Sequence, residues 1–256
     1  MKKLNHWESG DYYDKASCAS KVDHPGMKLL HSLVSDGSVV VDLGCGEGTR
    51  LHLLVEHKMV RRAIGIDISK TAILRAKKKY KNFEFIKANL ENLPLYDSFA
   101  DLVYSAFVLE HTDNTKKVLG EAIRISRKGG DIVLIAPNYG APNRSSPPYR
   151  GSRIGKLMIG FVNDIFYFGS KLKWLKTIPI MEKYDIDYDV TVEPYIKSLI
   201  SFLRHKNIKV VFWDTCWSEE LSGAKLHQKI FRLLASRGVY PFNYWGPHLI
   251  VHGVKI

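Results

Sequence analysis

The 256-residue chain has only three cysteines, Cys18, Cys45 and Cys216, far apart and odd in number. They form no CxxC pair and no Cys/His cluster at zinc spacing, which argues against a disulfide framework and a structural zinc site. The expectation is reduced thiols in a cytoplasm. No window of 18 uncharged apolar residues occurs, so no membrane-spanning helix is expected. The opening MKKLNHWESGDYYDK carries two lysines but lacks the apolar stretch of a secretory leader, and none is expected. There is no internal repeat and no long low-complexity run. Negative charge is also scarce: 26 Asp and Glu stand against 38 Lys and Arg, a net charge of +12. Such an excess favours nucleic acid, anionic lipid or an acidic substrate as partner, or serves solubility alone.

What is present is an ordinary globular composition, 45% hydrophobic and 25% charged, long enough for one large domain over 1–256. Pro25 begins a predicted helix over 25–36. The short β-branched runs SVVVDL (38–43), RAIGIDI (62–68), FEFIKA (83–88), DLVYSAFV (101–108) and DIVLIAP (131–137) read as buried strands. Helical patterns separate them: 48–58, a helix to about Tyr80 capped by Ser69, and one through Val118, Leu119, Ala122 and Ile123 that Gly129-Gly130 is expected to end. Alternation of this kind predicts a parallel sheet covered by helices on both faces. A helix at 193–206, a strand IKVVFWDT (208–215), a helix at 219–237 and a closing strand HLIVHGVKI (248–256) suit a hairpin-like edge.

The stretch VVVDLGCGEGTR (39–50) joins a strand to a helix through Gly44, Gly46 and Gly48. Glycines permit a tight turn, and the helix N-terminus faces whatever binds there. The spacing is G-x-G-x-G with Asp42 just before it, not the G-x-G-x-x-G of a dinucleotide site. An acid there opposes phosphate and suits a cationic or amine-bearing ligand. Asp67, at the end of the second strand, can accept both hydroxyls of a ribose.

These residues, with GIDIS and the run from KANLENLPLYDSFADLVYSAFVLEHTD to GGDIVLIAPN, resemble the successive motifs of class I S-adenosylmethionine-dependent methyltransferases of the small-molecule branch, over roughly 30–137. The resemblance implies S-adenosylmethionine as cofactor. It places the turn from Asp42 through Gly44, Cys45 and Gly46 to Gly48 around the methionine part, Asp67 on the ribose and Ile68 against the adenine. Asn89 and Leu90 stand where the family meets the adenine ring and amino group; Asn89 replaces a common Asp and can still accept through its carbonyl oxygen. Ala106 and Phe107 lie along the methionine side.

His111 follows the fourth strand and is the candidate catalytic base or substrate ligand; the plain alternative is a cap on the next helix. Tyr12, Tyr13 and His24 are weaker candidates, because the N-terminal segment often folds over the cofactor in proteins that resemble this one. SSPPYR (145–150) mimics the catalytic motif of nucleic-acid amino-methyltransferases but follows the wrong strand, and reads as a proline-rich loop.

Residues 150–176 are unusual. Ile154, Leu157, Met158, Phe161, Val162, Ile165, Phe168, Leu172 and Leu175 keep helical spacing, with Trp174 beside them. Arg150, Arg153, Lys156, Lys171, Lys173 and Lys176 punctuate the two ends. This suits a helix in a membrane interface, a lid over an apolar substrate, or a helix packed on the parent domain. Gly155, Gly160 and Gly169 weaken a continuous helix by roughly 1 kcal/mol each.

The expected fold is α/β: a Rossmann-like, doubly wound, seven-stranded, mostly parallel sheet with an antiparallel edge strand. Residues 1–37 are expected to form N-terminal cap helices, and 138–192 an inserted helical, substrate-side or lid segment after the fifth strand. The expected function is methyl transfer from S-adenosylmethionine to a small-molecule or lipid-linked acceptor, a glycan carrier included. The alternatives are a non-catalytic cofactor-binding protein of the same fold, a nucleic-acid methyltransferase supported by charge alone, and an NAD-dependent oxidoreductase opposed by Asp42 and the glycine spacing. No metal is expected. The expected location is cytoplasmic, at the inner membrane face if the protein is peripheral.

Overall fold

The computed structural model describes Glu8, Tyr13 and residues 24–166, 171–180, 187–217 and 225–256. Tyr12, Cys18, Phe168 and Gly169, singled out above, lie outside the described residues, as do most of residues 1–37 and part of 138–192.

The strands are β1 (Val39–Leu43), β2 (Arg62–Asp67), β3 (Glu84–Lys87), β4 (Ala100–Ala106), β5 (Ser126–Pro137), β6 (Leu175–Lys176), β7 (Val192–Glu193), β8 (Ile208–Asp214) and β9 (His248–Lys255). The helices are α1 (Pro25–Leu33), α2 (Thr49–Val55), α3 (Lys70–Lys79), α4 (Thr115–Ile125), α5 (Arg153–Phe166), α6 (Ile196–Arg204) and α7 (Leu226–Ser236). Seven strands form one mostly parallel sheet in the order β3-β2-β1-β4-β5-β9-β8, with an antiparallel strand toward its edge. The last strand of the chain thus inserts beside β5, and β8 takes the edge. A separate antiparallel pair joins β6 to β7 through Leu175 opposite Glu193.

By compactness the chain divides into one unit of residues 1–108, 114–133 and 254–256, and a second of 109–113 and 134–253. In the first unit every residue of β1 is buried. Its parallel neighbours set Val41 beside Ile64 of β2 and Val103 of β4. Buried Leu43, Ile64, Ile66 and Leu102 make this the centre of the core, as their apolar runs require. The Ser69 hydroxyl accepts the Ala72 N–H and starts α3 where expected.

Two expectations are corrected. The glycines at 129–130 do not end α4. The helix ends at Ser126, whose backbone turns extended, and β5 already begins there with both glycines inside it. Ser126, the first residue of β5, is therefore the breaker, and Gly129, at φ +72°, bends an exposed stretch of strand. The helix of the insertion is also shorter than the apolar pattern. It ends at Phe166, Leu172 lies beyond it, and Leu175 belongs to β6.

In the second unit α5 is inverted relative to an ordinary amphipathic helix. Its buried residues are Lys156 and Asp164, while Ile154 is 77% exposed and Phe166 73%. Lys156 Nζ donates to Glu193 Oε2 at 2.5 Å and to the Tyr139 carbonyl at 2.7 Å. Glu193 Oε1 in turn accepts from both the backbone N–H and the hydroxyl of Ser146, at 2.8 Å each. The Ser-Pro-Pro-Tyr segment thus wraps an ion pair, with the Tyr149 ring 4.8 Å from the Lys156 ammonium. Asp164 accepts from the Tyr195 hydroxyl and, at 3.0 Å, from the Trp245 indole N–H. Gly160 lets the helix lie against Pro142, where a Cβ would come within 2.7 Å of Pro142 Cγ.

Removing one partner of a buried pair strands the other charge, so Lys156→Met is expected to cost about 3–5 kcal/mol of stability. Lys77→Met on the exposed face of α3 should stay within about 0.5 kcal/mol. Denaturant unfolding of the two variants measures both, and equal small losses would show that α5 is not anchored by Lys156.

Candidate active site

The glycine turn is built from β1, the first turn of α2 and the end of β2, all in the first unit. Gly44, Gly46 and Gly48 have φ of +82°, +52° and +77°. At Gly44 a Cβ would meet Val108 at 2.4 Å, and at Gly48 it would meet Phe85 at 2.6 Å, so a side chain is excluded twice over at each. Four N–H groups of the turn are consumed internally. Gly44 and Cys45 both donate to the Ile66 carbonyl, at 2.7 and 3.0 Å, and Gly48 donates to the Cys45 carbonyl at 2.9 Å. Gly46 donates to Asp67 Oδ2 at 2.9 Å. A phosphate cradle needs such groups turned outward. This turn holds itself against β2 instead, as the acid before it and the unusual glycine spacing lead one to expect.

Asp42 lies beneath the turn, paired in register with Tyr104 of β4. It is 2% exposed, and its Oδ2 has no hydrogen-bond partner. Burial raises its pKa to about 7, against the pull of the Tyr104 hydroxyl and the Arg50 guanidinium. The Arg50 guanidinium lies 5.3 Å from the Phe107 ring and donates to the Ala106 carbonyl at 3.2 Å. The His24 ring meets Phe107 edge-on at 5.4 Å, and its Nδ1 accepts the Gly26 N–H at the start of α1. His24 is therefore a helix cap that also buttresses Phe107. Cys45 is buried with its thiol pKa pushed well up by desolvation, and a Cβ on Gly65 would touch its sulfur at 2.7 Å. Its side chain packs on β2 and only its backbone shapes the turn.

Asp67 accepts the Ser69 N–H through Oδ1 at 2.9 Å besides the Gly46 bond, so each oxygen keeps a lone-pair direction for a further donor. Burial raises its pKa, and those N–H groups hold it back. Ile68, next to it, is 54% exposed. Asn89 is exposed and spends its side-chain oxygen on the Glu91 N–H at 2.9 Å, while Leu90 is buried. Two residues of the N-terminal segment join this group. Tyr13 is 5% exposed, with its ring 3.7 Å from where a Cβ of Gly46 would stand. Glu8 caps α3 through the Lys70 and Thr71 N–H groups, at 3.0 and 2.9 Å, which lowers its pKa. Neither Glu8 nor Arg50 was singled out from the sequence. A carboxylate 62 residues from the helix it caps leaves no local signal.

His111 belongs to the second unit, at the end of a 3-10 turn over Leu109–His111. It does not cap α4; the Asn114 side chain does, accepting the Lys117 N–H. Its Nδ1 is 3.4 Å from Asp189 Oδ2 and its Nε2 3.7 Å from Glu110 Oε1. Asp187 joins the same group. The sequence analysis missed Asp187, Asp189 and Glu110; the only trace of the first two was the alternating acids of DIDYD.

Because Asp42 has a folded-state pKa near 7, well above the usual carboxyl value of about 4, its stabilising contribution is complete at low pH and is lost as pH rises through 7. Asn cannot ionise. The stability of Asp42→Asn relative to the parent should therefore grow by about 2–3 kcal/mol between pH 5 and pH 8 for a shift of this size. Thermal unfolding at both pH values reads it, and a difference independent of pH would contradict a buried, titrating carboxyl.

Known proteins agree with this geometry. Residues 34–150 match the family model of a methyltransferase domain. A probable S-adenosylmethionine-dependent methyltransferase of Mycolicibacterium smegmatis is 31% identical over 113 residues, 43% of each chain. The ubiquinone/menaquinone biosynthesis C-methyltransferase of Campylobacter jejuni is 31% identical over 101 residues, 38% of this chain and 43% of that one. The matched region thus spans less than half the length of these relatives. A solved S-adenosylmethionine-dependent methyltransferase from Mesorhizobium loti shares the fold, with a TM-score of 0.57 at 15% identity over 92% of this chain and 100% of that one. With its glycine turn, its two acids and its strand order, the segment 34–150 resembles a class I S-adenosylmethionine-dependent methyltransferase domain.

Proposed function

We propose that the protein transfers a methyl group from S-adenosylmethionine to an anionic, lipid-linked acceptor at a membrane surface. The observation that carries the cofactor half is the buried, partnerless Asp42 oxygen beneath a turn that spends four of its N–H groups within the fold. Such a site repels phosphate and gains from a cation, and S-adenosylmethionine carries positive charge on its sulfonium and ammonium groups. Asp42 would balance that charge. Gly44, Cys45, Gly46 and Gly48 would border the methionine part, Asp67 would take the ribose hydroxyls, and exposed Ile68 would lie on the adenine. Leu90 and Asn89 would edge the ring, and Ala106 and Phe107 would close the methionine side. When bound, the cofactor supplies an electrophilic methyl group, and the protein contributes position and electrostatics. His111 is assigned to the acceptor side.

The lipid half rests on α5. Ile154, Met158, Ile159, Val162, Ile165 and Phe166 are each between 46% and 77% exposed on a helix whose buried side is charged. Contiguous exposed apolar surface of this kind marks a contact with lipid or protein. Arg150, Arg153, Lys171, Lys173 and Lys176 flank it and are exposed, which fits an anionic surface, at about 1 kcal/mol per basic group near it. At 14 residues the helix is about 21 Å long, and no described helix is long and apolar enough to cross a membrane. Beside its first turns a cleft of about 430 Å³ is lined by Arg144 and Arg153 together with Pro142, Ile154 and Leu157. Two guanidiniums on an apolar wall suit a phosphate-bearing lipid carrier.

Three measurements test this. Asp67→Ala should weaken S-adenosylmethionine binding in calorimetry at least roughly tenfold, the worth of a charged hydrogen-bond partner; unchanged affinity in a folded variant would displace the site. The full chain should sediment with vesicles containing phosphatidylglycerol at low salt, and less so at 0.5 M salt, about where screening becomes short-ranged. Met158→Asp with Ile165→Asp should abolish that sedimentation; indifference of the parent to such vesicles would remove the membrane. Finally, with methyl-labelled cofactor and an extract of the source cells, label should enter the organic phase. Label confined to nucleic acid or to small aqueous products would replace the acceptor class.

A further inference from the structure

We propose that His111, Asp187 and Asp189 form a binding site for a divalent first-row transition-metal ion. This goes beyond the reading above and needs neither the cofactor nor the acceptor. One ring nitrogen of His111 and one oxygen from each aspartate lie within 4.8 Å of one another. Ligand atoms about 2.0–2.2 Å from a common ion stand some 3 to 4.4 Å apart, so the three side chains need only draw in toward one another to share an ion. The side chains are only slightly exposed, with His111 and Asp189 each at 11%, which leaves room for water or an acceptor oxygen on one side.

The surroundings are those of a prepared metal site. The Glu110 carboxylate, 1% exposed, faces His111 Nε2 at 3.7 Å, while the Asp189 carboxylate faces Nδ1 at 3.4 Å. An imidazole between two carboxylates can turn one nitrogen to a backing carboxylate and the other to a cation. Carboxylate-backed histidine is the usual arrangement around bound metal. Here Glu110 is the backing group and Nδ1 the donor. The Tyr139 hydroxyl donates to Asp187 Oδ2, which fixes that carboxylate in the same way. Two carboxylates this close repel each other until a cation lies between them.

The two ligand-bearing segments are also tied together by their backbones, independently of any ion. The Thr191 N–H donates to the Glu110 carbonyl at 2.8 Å, and the Thr191 hydroxyl reaches the carbonyls of Glu110 and Thr112 at 3.2 and 3.0 Å. Ligands held on braced segments bind without first being gathered. One imidazole nitrogen with two carboxylate oxygens selects manganese, iron or zinc over calcium, which prefers oxygen alone. Three protein ligands leave positions open, as catalytic rather than structural sites do.

The test uses the full chain with Mn²⁺ alone, without cofactor. Titration followed by the electron paramagnetic resonance signal of free Mn²⁺ should show one ion bound per chain, with coupling to a single imidazole nitrogen in the pulsed spectrum. His111→Ala and Asp189→Asn should each weaken binding at least tenfold and remove the rise in thermal midpoint that the ion gives the parent. Tyr139→Phe, which leaves all three ligands in place, should weaken it severalfold, and it serves where a ligand variant does not fold. No binding to the parent up to 1 mM Mn²⁺ would overturn the proposal. Binding unchanged in His111→Ala would overturn it as well. Neither result bears on cofactor affinity, so this proposal and the methyl-transfer reading fail separately.

Discussion

The carbonyl of Ile66 takes two N–H groups, from Gly44 and Cys45, and the character of the glycine turn depends on that tie. It draws the turn down onto the end of β2 and uses the donors that would otherwise face a ligand. It also sets Asp67, the next residue, where its carboxylate collects the Gly46 N–H. One turn thus becomes unfit for pyrophosphate and fit for a ligand with positive charge and hydroxyls. The glycines follow from the same constraint: a turn this tight brings Val108 and Phe85 to within 2.4 and 2.6 Å of where side chains would begin at Gly44 and Gly48.

Much of the first unit was legible because its information is local. Buried parallel strands are continuous β-branched runs, and β1, β2 and β4 lie within two residues of where those runs put them. Ser69 carries its cap in its own side chain, and Asp42 and Asp67 are fixed by the strands that they end. Legibility failed where a residue's role is decided by something distant in sequence. Glu8 caps α3, and Glu110 meets its backbone partner Thr191 81 residues on. It also failed at Gly129-Gly130, where a turn signal fell inside a strand because Ser126 had already broken the helix.

The insertion shows a subtler limit. The helical period of its apolar residues is real over 153–166, yet period alone fixes only that one side of a helix is apolar. Which side turns inward depends on partners. Here Glu193, Tyr139, Tyr195 and Trp245 offer a polar wall, and Lys156 and Asp164, eight residues apart, both face it. Burying two charges is costly unless each is hydrogen-bonded more than once, and each is. A helix bound through its charges has its apolar side left for something else.

That arrangement and the one at Asp42 share a physical logic. A carboxyl that burial holds near neutrality weakens the fold above pH 7, and a helix that shows isoleucine and phenylalanine to water forgoes burial that would stabilise it. Neither feature stabilises the protein by itself. On the proposed function, each would become favourable when a second body arrives: positive charge beside Asp42, an apolar and anionic surface against α5. Local deficits of this kind are strongest as functional evidence where the surrounding structure holds them in place, as the Ile66 tie does for the turn above Asp42 and the Lys156–Glu193 pair does for α5.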